Sequence, residues 1–194
     1  VSPWAMTTTK VYTPADVLAL PDDGNRYECI DGELLITPAP RPAHEFVIQH
    51  LRDQVEAYLA DQPVGRGFVS PSAVTVTDSD LVQPDYFVAV WTKKANPKKW
   101  SEITALHLAV EVLSPATARR DRTIKRRFYQ RAAVPEYWVV DAERRVIERW
   151  FTDALQPDRL TETLEWSPKA STAVFSLDIQ AVFEKALGPR PQLP

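Results

Sequence analysis

The chain has 194 residues, 44% of them hydrophobic, and a formal net charge of −3, which suits one folded domain with a sizeable core. Its single cysteine, Cys29, excludes a disulfide framework and a thiolate zinc site. No apolar run approaches the ~18 residues that a bilayer-spanning helix needs, and the start VSPWAMTTTK lacks a signal-peptide pattern, so a cytoplasmic protein without a membrane segment is expected.

Residues 1–11 are expected to be disordered, with Met6 as a possible translation start in place of Val1. Residues 12–188 are expected to form one domain, and 189–194 a flexible Pro-rich tail. Thr13-Pro14 followed by Asp16 predicts a short helix over Tyr12–Leu20, which Pro21-Asp22-Asp23-Gly24-Asn25 ends. RYECIDGELLIT (26–37) predicts a hairpin around Asp31-Gly32. A connector with three prolines leads to a helix over Ala43–Ala60, where Phe46, Ile48, Leu51, Val55, Tyr58 and Leu59 recur near helical spacing. Strands are expected at 67–77 and 81–91. A mobile basic loop over Thr92–Ser101 carries Lys93, Lys94, Lys98 and Lys99.

The stretch 106–141 reads as a buried strand (Leu106–Leu113), a Ser114-Pro115 turn, a helix over 118–132 and a second buried strand (Glu136–Val140). Further strands are expected at Val146–Thr152 and Arg159–Trp166, then a helix from Leu177 to Leu187. The expected fold class is α+β with a mixed central sheet flanked by helices.

Charge is concentrated in one place. Seven basic residues between Arg119 and Arg131 face one acid, Asp121, a local +6 on a body carrying the remaining −9. Such a patch steers a phosphate backbone, or else forms a solvated helix face balanced by neighbouring acids. Alternation puts Leu106, Leu108, Val110 and Val112 on one face of the first buried strand, and His107, Ala109, Glu111 and Leu113 on the other. A buried carboxylate at Glu111 needs a cation: a metal, a lysine or an arginine of the basic helix. VQPDYFVAV has the same build, with Asp85 entering an apolar run and Gln83 on the same face, although Asp85 is also placed to cap a turn. Two acids on neighbouring strands suit a hard divalent ion such as Mg²⁺ or Mn²⁺. Asp121, Lys125 and Tyr129 form one helical stripe beside Ile124 and Phe128, so Lys125 lies at the border of the buried face. It reaches down to the strand, or pairs with Asp121 on the surface. Arg126, Arg127 and Arg131 are expected to point outward. Ser114 lacks a nucleophile elbow, and the three histidines lack zinc-ligand spacing, with His44 the one placed to face the site.

Taken in order, YECIDGEL, the Pro-rich link with His44, VQPD, EVLSP, Asp121, Lys125 and PEYWVVD resemble the Uma-two family of restriction-endonuclease-like proteins, within the PD-(D/E)xK nuclease superfamily. The resemblance covers roughly residues 26–152. Pro84-Asp85 matches the PD and Glu111 the (D/E). Leu113 stands where the superfamily has its lysine, and Lys125 on the following helix is the matching position. Glu33 and Gln83 match further family positions. The resemblance implies a restriction-endonuclease-like fold and a metal-dependent endonuclease of DNA. Asp85, Glu111 and the Val112 carbonyl would hold Mg²⁺ or Mn²⁺, Lys125 would act on the attacking water, and Asp121 would orient Lys125. Arg119, Arg120, Arg122, Arg126 and Arg127 would grip double-stranded DNA, with a homodimer suited to cutting both strands. A catalytically silent nucleic-acid-binding or assembly protein of the same fold, and a small-phosphoester hydrolase, are the alternatives.

Overall fold

The computed structural model describes residues 10–91 and 98–190. The expectations for residues 1–9, for Lys93 and Lys94, and for the tail at 191–194 fall outside them. Thr13 caps helix α1 (Pro14–Leu18) through a reciprocal capping box with Asp16, and the helix is shorter than its sequence pattern predicts. Strands β1 (Arg26–Ile30) and β2 (Glu33–Thr37) form the expected hairpin, with Asp31 at φ 52° and Gly32 at φ 78° supplying the left-handed turn. Helix α2 (Pro42–Asp61) follows.

The predicted strand 67–77 is two strands in two different sheets. Strand β3 (Gly65–Val69) pairs antiparallel with β6 (Tyr86–Val90) at the edge of the main sheet. Strands β4 (Val74–Thr77) and β5 (Asp80–Val82) join β1 and β2 in a four-stranded sheet of order β2-β1-β5-β4. The main sheet runs β10-β9-β8-β7-β6-β3, from β7 (Leu106–Val112), β8 (Glu136–Asp141), β9 (Val146–Phe151) and β10 (Asp158–Leu160). Strands β7 and β8 are parallel and the other pairings antiparallel, so the sheet is mixed and the fold is α+β. A parallel pair needs a crossover, and the basic helix supplies it. The predicted strand over Arg159–Trp166 is also divided: β11 (Thr163–Trp166) leaves the sheet to pair with β12 (Phe175–Asp178), ahead of α5 (Ile179–Leu187).

The crossover helix is continuous but not uniform. It begins as α3 (Ala118–Arg120), widens into a π turn over Asp121–Lys125 and ends as α4 (Arg126–Arg131). Two cores flank the main sheet. On one face Tyr86, Val88, Leu108, Val110 and Val112 pack against α2, α5 and the β11–β12 hairpin. On the other, Phe87, Ala109 and Val139 pack against Phe128 and Tyr129 of α4 and against Ile30, Leu35 and Val82 of the small sheet. A bulge in β7 corrects the simple alternation: Val88 pairs with Leu108 but Ala89 pairs with Leu106. The extra residue, His107, turns Leu106 into the second core and bonds through Nε2 to the Val64 carbonyl.

Candidate active site

Glu111 lies on the second face of β7, only 1% exposed. Its Oε1 accepts from Lys125 Nζ at 2.7 Å and from the Tyr129 hydroxyl at 3.2 Å. Lys125 is fully buried, deeper than the border position its sequence pattern suggests, and its Nζ also lies 2.8 Å from Glu28 Oε2. Glu28, on β1, accepts through Oε1 from the Gln83 backbone N–H at 2.8 Å. The ammonium thus joins the main sheet to the small one. Burial would strip its proton, but Glu111 and Glu28 outweigh that and hold Lys125 above the ordinary lysine range. Glu111 moves upward as well, through burial and the nearby carboxylates of Asp85, Asp121 and Glu28, against the pull of Lys125.

Asp85 stands at the entrance to β6, beside the C-terminal end of β7, because the two strands run antiparallel. Its Oδ2 accepts from the Val112 backbone N–H at 2.8 Å and bonds His44 Nε2 at 2.9 Å. Its Oδ1 accepts from Arg26 at 2.6 Å. Burial would raise its pKa, but the His44 hydrogen bond and the Arg26 charge hold Asp85 well below the ordinary carboxylate range. His44 gains the converse shift: burial lowers it, and the bond to Asp85 more than offsets the loss. Asp121 is buried with no hydrogen bond to its Oδ1, and burial pushes its carboxyl up. It makes no ion pair with Lys125 among the described residues, and instead its backbone carbonyl accepts from Tyr137.

Above Asp85 opens a cleft of about 1160 Å³, lined by Arg26, by the start of α2 with His44, by Val112 and the following turn, and by the loop 141–144. Four buried carboxylates (Glu28, Asp85, Glu111, Asp121) therefore face two permanent cations, Arg26 and Lys125, with His44 as the third basic group. A buried cluster of hard oxygen donors suits a divalent cation. Among the described residues no three His, Cys, Asp or Glu side chains gather as a ready ligand set. An ion of the Mg²⁺ type held by two carboxylates, with water and phosphate as its other ligands, needs no such set.

The family model described as "Putative restriction endonuclease", Uma2, matches residues 14–180. The chain belongs to the Uma2 family. A crystal structure described as a putative nuclease belonging to DUF820 from Anabaena variabilis superposes with a TM-score of 0.75 at 19% identity, over 91% of this chain and 99% of that one. That likeness bears on the fold. No curated protein matches the sequence.

The remaining site candidates of this Uma2 chain are dispersed. Gln83 touches the cluster through its backbone, while its side chain holds the Tyr27 carbonyl at 3.1 Å. Glu33 is exposed on β2 and takes no part; two positions along the other hairpin strand, Glu28 does. The signal for Glu28 was the same as for Glu111, an acid sharing the apolar face of a strand with Ile30. Of the Val112 peptide, the N–H is the group seen engaged, with Asp85. The basic helix is largely tied up internally. Arg120 holds Thr37 and the Ile36 carbonyl, and Arg122 bridges Asp141 and Glu148. Arg126 bonds Gln130 and stacks over Trp150, and Arg131 pairs with Asp31. Arg131 points outward as expected, paired with the exposed Asp31, whereas Arg126 is half-buried. Arg119 and Arg127 are exposed and make no ion pair among the described residues.

Proposed function

We propose that the protein hydrolyses phosphodiester bonds in nucleic acid as a Mg²⁺- or Mn²⁺-dependent DNA endonuclease, with residues 12–188 acting as one nuclease unit in the cytoplasm. The observation that carries this reading is the meeting of three residues far apart in sequence: Asp85 bonds the peptide next to Glu111, and Glu111 holds Lys125. In this reading Asp85 and Glu111 hold the ion, which when bound supplies a water of lowered pKa and neutralises charge on the phosphate. Lys125, kept as an ammonium, donates toward the oxygen on which negative charge develops. Tyr129 and Glu28 fix the positions of Glu111 and Lys125, and His44 fixes Asp85 at the cleft floor. Arg119 and Arg127 are the exposed cations for the DNA backbone, and a two-fold dimer would let two such sites cut both strands.

The test is nicking of supercoiled plasmid with Mg²⁺ or Mn²⁺ against chelator, with folding of each variant checked by circular dichroism. Wild type is expected to nick only with the metal, and Asp85→Asn, Glu111→Ala and Lys125→Ala to lose at least ~100-fold in rate. Undiminished nicking by folded variants would contradict the assignment. Salt-sensitive DNA binding without cleavage in either metal would favour a catalytically silent binding protein.

A further inference from the structure

Among the described residues, Arg26 is the one cleft arginine that touches either proposed metal ligand. It enters from β1 of the small sheet, and its NH1 donates to Asp85 Oδ1 at 2.6 Å and to Ser70 Oγ at 3.1 Å. The side chain is 16% exposed and lines the cleft, while its charge acts on Glu111 and Glu28 behind it. The contact is a single-nitrogen one, not the two-pronged fork that makes arginine–carboxylate pairs rigid. Its buried Nε has no acceptor, so the guanidinium retains donor capacity that Asp85 does not use. A monodentate pair with an unsatisfied donor, at the floor of an open cleft, is built to exchange partners.

We infer that Arg26 is an exchangeable counter-ion: it neutralises Asp85 Oδ1 while the metal is absent, competes with the incoming divalent ion for that oxygen, and once displaced turns its guanidinium to a phosphate oxygen in the cleft. No bond is made or broken in this exchange; one cation replaces another on Asp85. His44 and the Val112 N–H remain on Oδ2 throughout, so Asp85 keeps its orientation. The inference rests on the proposed metal site, and it adds that this site is gated by a side chain of the small sheet.

The test is calorimetric titration of Mn²⁺ into metal-free protein without DNA, comparing wild type with Arg26→Ala, Arg26→Gln, Arg41→Ala and Asp85→Asn. Arg26→Gln retains a group able to bond Ser70, which guards against a packing defect. Both Arg26 variants are expected to bind Mn²⁺ about tenfold more tightly than wild type. Arg41, an exposed arginine of the same cleft, should leave the affinity unchanged on removal, and Asp85→Asn should abolish binding. With Mn²⁺ saturating, the Arg26 variants should bind a DNA oligonucleotide more weakly than wild type. Equal or weaker Mn²⁺ binding by folded Arg26 variants would overturn the competition, as would an equal gain from Arg41→Ala, which would mark a general field effect. Wild-type Mn²⁺ binding that survives in Asp85→Asn, or its absence from every variant, would overturn the metal reading itself and the counter-ion role with it.

Discussion

Lys125 Nζ lies buried between Glu111 and Glu28, so each of the three charges depends on the other two. Removing the cation leaves two buried carboxylates uncompensated. Lys125→Met is therefore expected to destabilise the metal-free protein by about 3–5 kcal/mol, and the double variant with Glu111→Gln by less than the sum of the singles. Chemical denaturation of the four proteins measures this, and strict additivity would count against coupling. Acidity adds a second expectation. Glu111 titrates higher in the folded chain than the ordinary 4.5, so its contribution to stability is present below that value and lost as pH rises through the raised one. Asp85 behaves in the opposite sense, its contribution present above the ordinary 3.8 and lost in strong acid. In chelator, the melting temperature should fall on the alkaline side of pH 4.5, and Glu111→Gln should flatten that limb. An unchanged limb in Glu111→Gln would show that another group governs it. Asp85 and Glu111 were legible because an acid inside an apolar strand violates the local pattern, while the border position of Lys125 left two readings open and the resemblance chose between them. Glu28 gave the same signal, an acid sharing a strand face with Ile30, but a five-residue hairpin strand gives no hint that this face, Arg26 included, will be roofed by a second sheet.

At the scale of elements, the strand–helix–strand unit from β7 to β8 was readable from its hydrophobic runs and its Ser114-Pro115 break, and so was α2. The π turn was not, because i→i+5 bonding leaves no residue signature in DRTIK. Asp121, Lys125, Phe128 and Tyr129, spaced i, i+4, i+7 and i+8, all lie on the buried side of the crossover helix. The division of 67–77 between two sheets was equally hidden, since both halves have strand composition and only tertiary pairing separates them.

Across the whole molecule, charge is distributed differently from the sequence map. The basic helix spends most of its arginines on internal partners, and the cleft is lined by five arginines (Arg26, Arg41, Arg52, Arg122, Arg144) against five acids (Asp22, Glu45, Asp85, Asp141, Glu143). A cleft so balanced attracts a phosphate backbone weakly until a divalent ion adds positive charge. DNA affinity should therefore be low and shallow in its salt dependence with chelator, and rise with Ca²⁺ present. Strong binding in chelator would place the DNA surface elsewhere. Among the described residues no helix is long and apolar enough to cross a membrane. The most direct measurement is anomalous diffraction from crystals soaked in Mn²⁺. A peak within coordination distance of both the Asp85 and Glu111 carboxylates, with Lys125 Nζ at its side, is the predicted result; a peak elsewhere, or none at a concentration that supports cleavage, would contradict the account.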